Sequence, residues 1–114
     1  AAVDKLRLGE NEYETAAVIL PGEHQAREAY ELLLQKLEEG GFDTKNRLTH
    51  LHRDSQSFRK GLTVTTFYLA KGLEFDQVFS IFPKNDQRPL IRQAKYIAAT
   101  RALHELFVYE AEEL

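Results

Sequence analysis

The chain has 114 residues and a hydrophobic content of 43%, enough for one core and too little for two. Lys and Arg number 15 against 18 Asp and Glu, and the formal charge of −3 argues against a free-standing nucleic-acid binder with a basic face of its own. Cysteine is absent, which excludes disulfides and thiolate zinc sites, and no apolar run is long enough to span a membrane.

No secretory signal pattern opens the chain, and the lack of Cys is compatible with the cytoplasm, which is the expected location. A chain that begins without Met is expected to be a piece of a longer protein, here a single domain over 1–114. Val3–Leu8 is a candidate short strand, followed by a polar turn. Thr15–Leu20, TAAVIL, is a continuous apolar run closed by Pro21 and Gly22, the pattern of a buried parallel strand. From Glu23 to Glu39, Ala26, Ala29, Tyr30, Leu33, Leu34 and Leu37 recur at helical spacing, and Gly40 and Gly41 stop the run. The Leu stripe of this helix is read as core.

Phe42–Lys60 is polar and mixed. Within it Arg47–Leu51 is a candidate short strand whose alternation puts Leu48, His50 and His52 on one face. Two histidines side by side could ligate a metal, but a site needs a third and a fourth ligand that the neighbouring sequence does not clearly offer, so no metal is expected. Asp54–Lys60 reads as a loop.

Leu62–Phe67 is rich in Thr and Val and reads as a strand, and Gln77–Phe82 as a second, well-buried one. Between them Tyr68–Asp76 carries Lys71, Glu74 and Asp76 around Gly72. Such a loop is either a solvated connection or a ligand contact next to a flexible backbone point. Pro83–Pro89 is a loop by composition. Leu90–Leu103 reads as a helix with Leu90, Ala94, Ile97 and Ala98 on one stripe. Arg101 would project from its C-terminal end, either offsetting the helix dipole or serving as a forked phosphate ligand. Leu106–Tyr109 is the last strand, expected to be buried, and Glu110–Leu114 an acidic tail. Apolar strands joined by amphipathic crossovers imply a mostly parallel α/β sheet with helices on its faces. The G-x-x-x-x-G-K-[ST] phosphate loop is missing, so the chain is not expected to hydrolyse nucleotide by itself.

Thr66-x-x-x-Ala70-Lys-Gly-Leu-Glu-Phe-Asp76, followed by an apolar strand, resembles motif V of superfamily 1 helicases of the UvrD/Rep/PcrA type. Tyr96-Ile-Ala-Ala-Thr-Arg-Ala-Leu-His-Glu-Leu106 resembles their motif VI. The wording YLAKGLEFD with ATRALHEL is nearest to the HelD branch, helicase-like ATPases that act on RNA polymerase. The resemblance implies a RecA-like second motor domain, part of an ATP-dependent DNA helicase. ATP with Mg²⁺ would lie between it and an N-terminal ATPase domain of the same chain, which supplies the phosphate loop and the magnesium ligands.

By the same resemblance, Arg101 would contact the γ-phosphate as an arginine finger. Glu74 and Gly72 would face the nucleotide, Gly72 by allowing a close backbone approach. Thr66 and Tyr68 would lie toward single-stranded or partly duplex DNA, Lys71 would brace the loop or face a phosphate, and Thr100 would help to position the motif VI helix. Two departures stand out: Tyr68 replaces the usual His of motif V, and the Asn-Tyr-Arg-Ser type motif IV is missing. The alternative is a non-catalytic module of the same fold that docks RNA polymerase, and the presence of both Glu74 and Arg101 favours the motor.

Overall fold

The computed structural model describes residues 13–52, 60–84 and 86–111. TAAVIL forms β1 (Thr15–Leu20) at the centre of a five-stranded sheet. The chain continues through α1 (Glu23–Glu39), a single turn α2 (Thr44–Arg47), β2 (Leu48–His50), β3 (Gly61–Thr66), β4 (Phe75–Pro83), α3 (Pro89–Ala99) and β5 (Ala102–Ala111). Strand order is β2-β3-β1-β4-β5 and every pairing is parallel. The expected α/β class with a parallel sheet and helices on its faces is therefore what forms.

A central parallel strand is covered on both sides, so it reads as a near-continuous apolar run. In β1, Ala16, Val18 and Leu20 join the core under α1, and Ala17 and Ile19 join the core under α3. Helix α1 lays Ala26, Leu33, Leu34 and Leu37 against β1, β2 and β3. Helix α3 lays Ile91, Ala94 and Ala98 against Phe75, Val78 and Phe82 of β4. Each fully buried Phe or Ile contributes roughly 1.5–3 kcal/mol of transfer free energy. Phe75, Phe79, Phe82 and Ile19 are all of this kind, which makes β4 the strand with most at stake.

Several boundaries differ from the sequence expectation. The helix expected over Leu90–Leu103 starts at Pro89 and ends at Ala99. Ala102 and Leu103 belong to β5 because Ala102 pairs with Phe75, and Leu90 is 57% exposed while Ile91 takes the buried position. Local periodicity could not separate these, since a small apolar stripe serves a helix or the start of a strand equally. Strand β5 also absorbs Glu110 and Ala111 from the expected acidic tail, and it is not the buried strand expected: it lies at the edge of the sheet, where Leu106 is 39% and Val108 61% exposed. Strand β3 begins one residue earlier than expected, at Gly61, and β4 begins at Phe75. The turn α2 was not anticipated, and it shortens the strand expected at Arg47–Leu51 to Leu48–His50. The candidate strand Val3–Leu8, residues 53–59 of the expected loop and residues 112–114 lie outside the described residues. Among the described residues no helix is long and apolar enough to cross a membrane.

Candidate functional site

The loop Phe67–Glu74 joins two parallel strands, so it must travel from the carboxyl edge of the sheet, where β3 ends, to the amino edge, where β4 begins. It does so in tight turns. Ala70 N–H donates to Thr66 O at 3.1 Å and Leu73 N–H to Ala70 O at 3.0 Å, while Thr66 Oγ accepts from Leu69 N–H at 3.3 Å. Phe67, Ala70 and Leu73 anchor the loop on the α3 side of the core. Two groups of candidate residues therefore sit at opposite ends of one connection: Thr66 and Tyr68 at the carboxyl edge, Gly72 and Glu74 at the amino edge.

At the carboxyl edge Thr66 is buried and Tyr68 is 67% exposed. Lys71 Nζ lies 5.0 Å from the centre of the Tyr68 ring, so this cation rests on the ring. A hollow of about 610 Å³ opens here, lined by Pro21, Gly22, Glu23, Thr66, Tyr68 and Leu90 among others. A second hollow, of about 480 Å³, is lined by Glu23, His24, Arg27, His50 and His52. His50 and His52 do lie side by side, with ring centres 5.1 Å apart, and His50 stacks on Tyr30 at 5.2 Å. Burial and the neighbouring His52 hold the His50 imidazole below its ordinary value and keep it neutral near pH 7. Among the described residues no three His, Asp or Glu side chains group so as to hold a metal ion.

At the amino edge Arg101 occupies the turn between α3 and β5, not the helix itself. Its backbone carbonyl accepts from Phe75 N–H at 2.8 Å, which ties the turn to the start of β4. Its Nη1 donates to Leu73 O at 3.3 Å and its Nη2 to Thr100 Oγ at 3.2 Å. Thr100 caps α3 and donates its own hydroxyl to Ile97 O at 2.9 Å. The Arg101 Nε is buried with no hydrogen-bond acceptor, and among the described residues no carboxylate pairs with this guanidinium. An arginine held only by neutral oxygens, with a donor unspent, is a cation still able to take an anion. Glu74, exposed, is next to the Leu73 carbonyl that Arg101 holds.

Gly72 has φ +82, and a Cβ there would meet nothing within 4 Å. What the chain itself requires at this position is the left-handed backbone rather than room. Asp76, grouped with Lys71 and Glu74 in the sequence as a candidate ligand contact, is structural. Its Oδ2 accepts from Glu14 N–H at 3.0 Å, Thr15 N–H at 3.1 Å and Thr15 Oγ at 3.2 Å. Its Oδ1 lies 3.6 Å from His104 Nε2, and His104 stacks on Tyr13 at 5.3 Å. The irregularity between Phe75 and Gln77, where β5 carries an extra residue, brings His104 to this position. Sequence reading missed this latch because its partners come from three distant segments. It also missed that α1 adds Glu23, His24 and Arg27 to the histidine pair.

Residues 61–109 match the model of the UvrD-like helicase C-terminal domain family. Among solved structures, the chain is similar to the C-terminal domain of a possible DNA helicase from Lactobacillus plantarum WCFS1, at 28% identity and a TM-score of 0.59. That similarity covers 89% of this chain and 58% of the other, so the chain spans little more than half the length of that domain. No curated protein matches it.

Proposed function

With residues 61–109 matching the UvrD-like helicase C-terminal domain, we propose that the chain is the C-terminal motor part of an ATP-dependent DNA helicase. It contributes Gly72, Glu74 and Arg101 to an ATP site completed by a separate N-terminal motor domain, and Thr66 and Tyr68 to a nucleic-acid strand. The observation that carries this reading is the Arg101 guanidinium, fastened to the loop by Leu73 O and to the helix end by Thr100 Oγ, with its Nε unspent.

The chemistry follows from the donor set. Phosphoryl transfer needs charge stabilisation at the γ-phosphate oxygens, and a pre-oriented arginine can supply about three to five orders of magnitude in rate. Arg101 stabilises that developing charge. Glu74, exposed at the same edge, accepts hydrogen bonds from polar donors of the nucleotide. Magnesium would neutralise phosphate charge when bound, and its ligands are assigned to the separate N-terminal motor domain. The loop Phe67–Glu74 links this edge to Tyr68, so a shift of Arg101 on closing over nucleotide pulls on the carbonyl of Leu73 and on the strand contact beyond it.

ATP hydrolysis by the intact protein, with and without single-stranded DNA, tests the reading. Arg101→Ala is expected to keep nucleotide binding within a few-fold and to lower turnover by about three orders of magnitude or more. Turnover at the parent rate in that variant removes the finger assignment. No turnover by the parent under any condition favours a docking module of the same fold.

A further inference from the structure

The order β2-β3-β1-β4-β5 reverses direction between β1 and β4. From β1 the chain crosses by α1 over one face of the sheet toward β3 and β2. From β4 it crosses by α3 over the other face toward β5. Two neighbouring parallel strands whose connections part in this way leave a crevice outside their carboxyl ends, and open α/β sheets take ligands in that crevice. The hollow of about 610 Å³ lies there. Pro21 and Gly22 reach it from the end of β1, Leu90 from the first turn of α3, and Thr66 and Tyr68 from the end of β3.

The lining narrows what the hollow would take. Tyr68 and Leu90 are both large and apolar, and both are exposed, which costs free energy unless a ligand covers them. No Lys or Arg is among the described residues that line the hollow, so a phosphate gains no cation inside it. The cation lies beside it, where Lys71 rests on the Tyr68 ring. An aromatic ring next to a cation, on the rim of a neutral apolar hollow, suits an unpaired nucleobase whose phosphate stays outside. The volume is also in the range of pockets that enclose small organic groups.

We propose that this hollow is a base pocket in which Leu90 contacts the same unpaired base that stacks on Tyr68. The inference rests on the reading of Tyr68 as a strand contact and adds the start of α3 to that contact. It assigns the two side chains different work: the Tyr68 ring offers a π-face, and Leu90 covers apolar base surface.

Fluorescence anisotropy of the intact protein tests it, with a labelled oligothymidylate and a labelled strand of equal length built from abasic units. Leu90→Ala is expected to weaken oligothymidylate binding roughly fivefold, the scale of one lost apolar contact, and to leave the abasic strand unchanged. Leu90→Met, which keeps the apolar volume, should retain the parent affinity. On a Tyr68→Ala background, Leu90→Ala should cost less than about twofold further, because both side chains hold one base. Equal losses on both strands would overturn the proposal, as would an unchanged affinity of Leu90→Ala. Losses that multiply in the double variant would place the two side chains at separate sites and also overturn it. If Tyr68→Ala weakens binding and Leu90→Ala does not, the strand reading stands and this extension falls. If the parent binds neither strand, both fall. Because Leu90 and Tyr68 are exposed, far-UV circular dichroism of the variants should match the parent.

Discussion

Asp76 and Thr15 hold each other through three hydrogen bonds across 61 residues of chain. The Thr15 N–H and Oγ both donate to Asp76 Oδ2, and Asp76 N–H donates back to Thr15 Oγ at 2.9 Å. This latch joins the start of β1 to the start of β4, the pair of strands on which both cores are built. Asp76 follows Glu74 by two residues, so the latch also fixes where the loop delivers that carboxylate.

Asp76→Ala should therefore destabilise the fold by about 2–3 kcal/mol, since hydrogen bonds to a charged acceptor are the stronger kind and their loss is not additive. Asp76→Asn should cost less, because its amide oxygen still accepts. Urea unfolding of both variants with Thr15→Val, arranged as a double-mutant cycle, measures the coupling. A coupling near zero would show that the latch contributes nothing to stability.

Gly72 and Gly61 both have positive φ, at +82 and +110, but they differ in surroundings. A Cβ on Gly72 meets open space, so Gly72→Ala should cost only the strained backbone, about 1 kcal/mol. A Cβ on Gly61 runs into the main chain of Arg47, so Gly61→Ala should cost more than about 3 kcal/mol or fail to fold. Equal unfolding midpoints for the two variants would contradict this ranking.

Thr100 serves Arg101 by accepting from Nη2. Thr100→Val keeps the shape and removes that acceptor, so turnover of the intact protein should fall by roughly five- to tenfold with KM for ATP little changed. A raised KM with unchanged kcat would place the effect on ground-state binding instead.

The His50 imidazole has its pKa lowered from 6.5, first by burial and then by His52. The unfolded chain takes up a proton at this site more readily than the folded one. Stability from this group is therefore fully present above pH 6.5 and is lost as pH falls from there through the lower folded value. Unfolding midpoints of the parent should drop over that window, and those of His50→Phe should drop less. Parallel profiles would remove His50 as the source.

Tyr68 should matter to the strand and not to the fold, being 67% exposed. Tyr68→Ala is expected to lower DNA stimulation of ATP turnover while leaving basal turnover and the thermal midpoint unchanged. Tyr68→Phe should preserve stimulation, because stacking needs the ring and not the hydroxyl. Unchanged stimulation in the alanine variant takes Tyr68 off the strand-contact surface.

Much of the fold could be read from local pattern. Ala16–Leu20 is apolar at every position because β1 is covered on both faces, and the Leu stripe of α1 repeats at helical spacing because one face is buried. The segment Tyr68–Asp76 was legible as the connection between two strands, and Arg101 as a cation at a helix end. Where a boundary rested on a pairing, pattern failed. Ala102 and Leu103 continue the helical stripe, yet strand pairing of Ala102 with Phe75 draws them into β5.

The sequence alone determined roughly where the five strands and the two long helices lie, though not the turn α2, because burial imposes its period on each segment separately. Tertiary structure decided what those segments share. Only the crossing of the loop from one edge of the sheet to the other brings Leu73 to Arg101 and leaves Tyr68 at the far end. The packing of α1 on β2 alone puts Arg27 beside His50 and His52, and the register of β4 with β1 alone turns Asp76 from a candidate ligand into a latch. These contacts join residues many positions apart, and a one-dimensional pattern carries no information about which distant segments lie side by side.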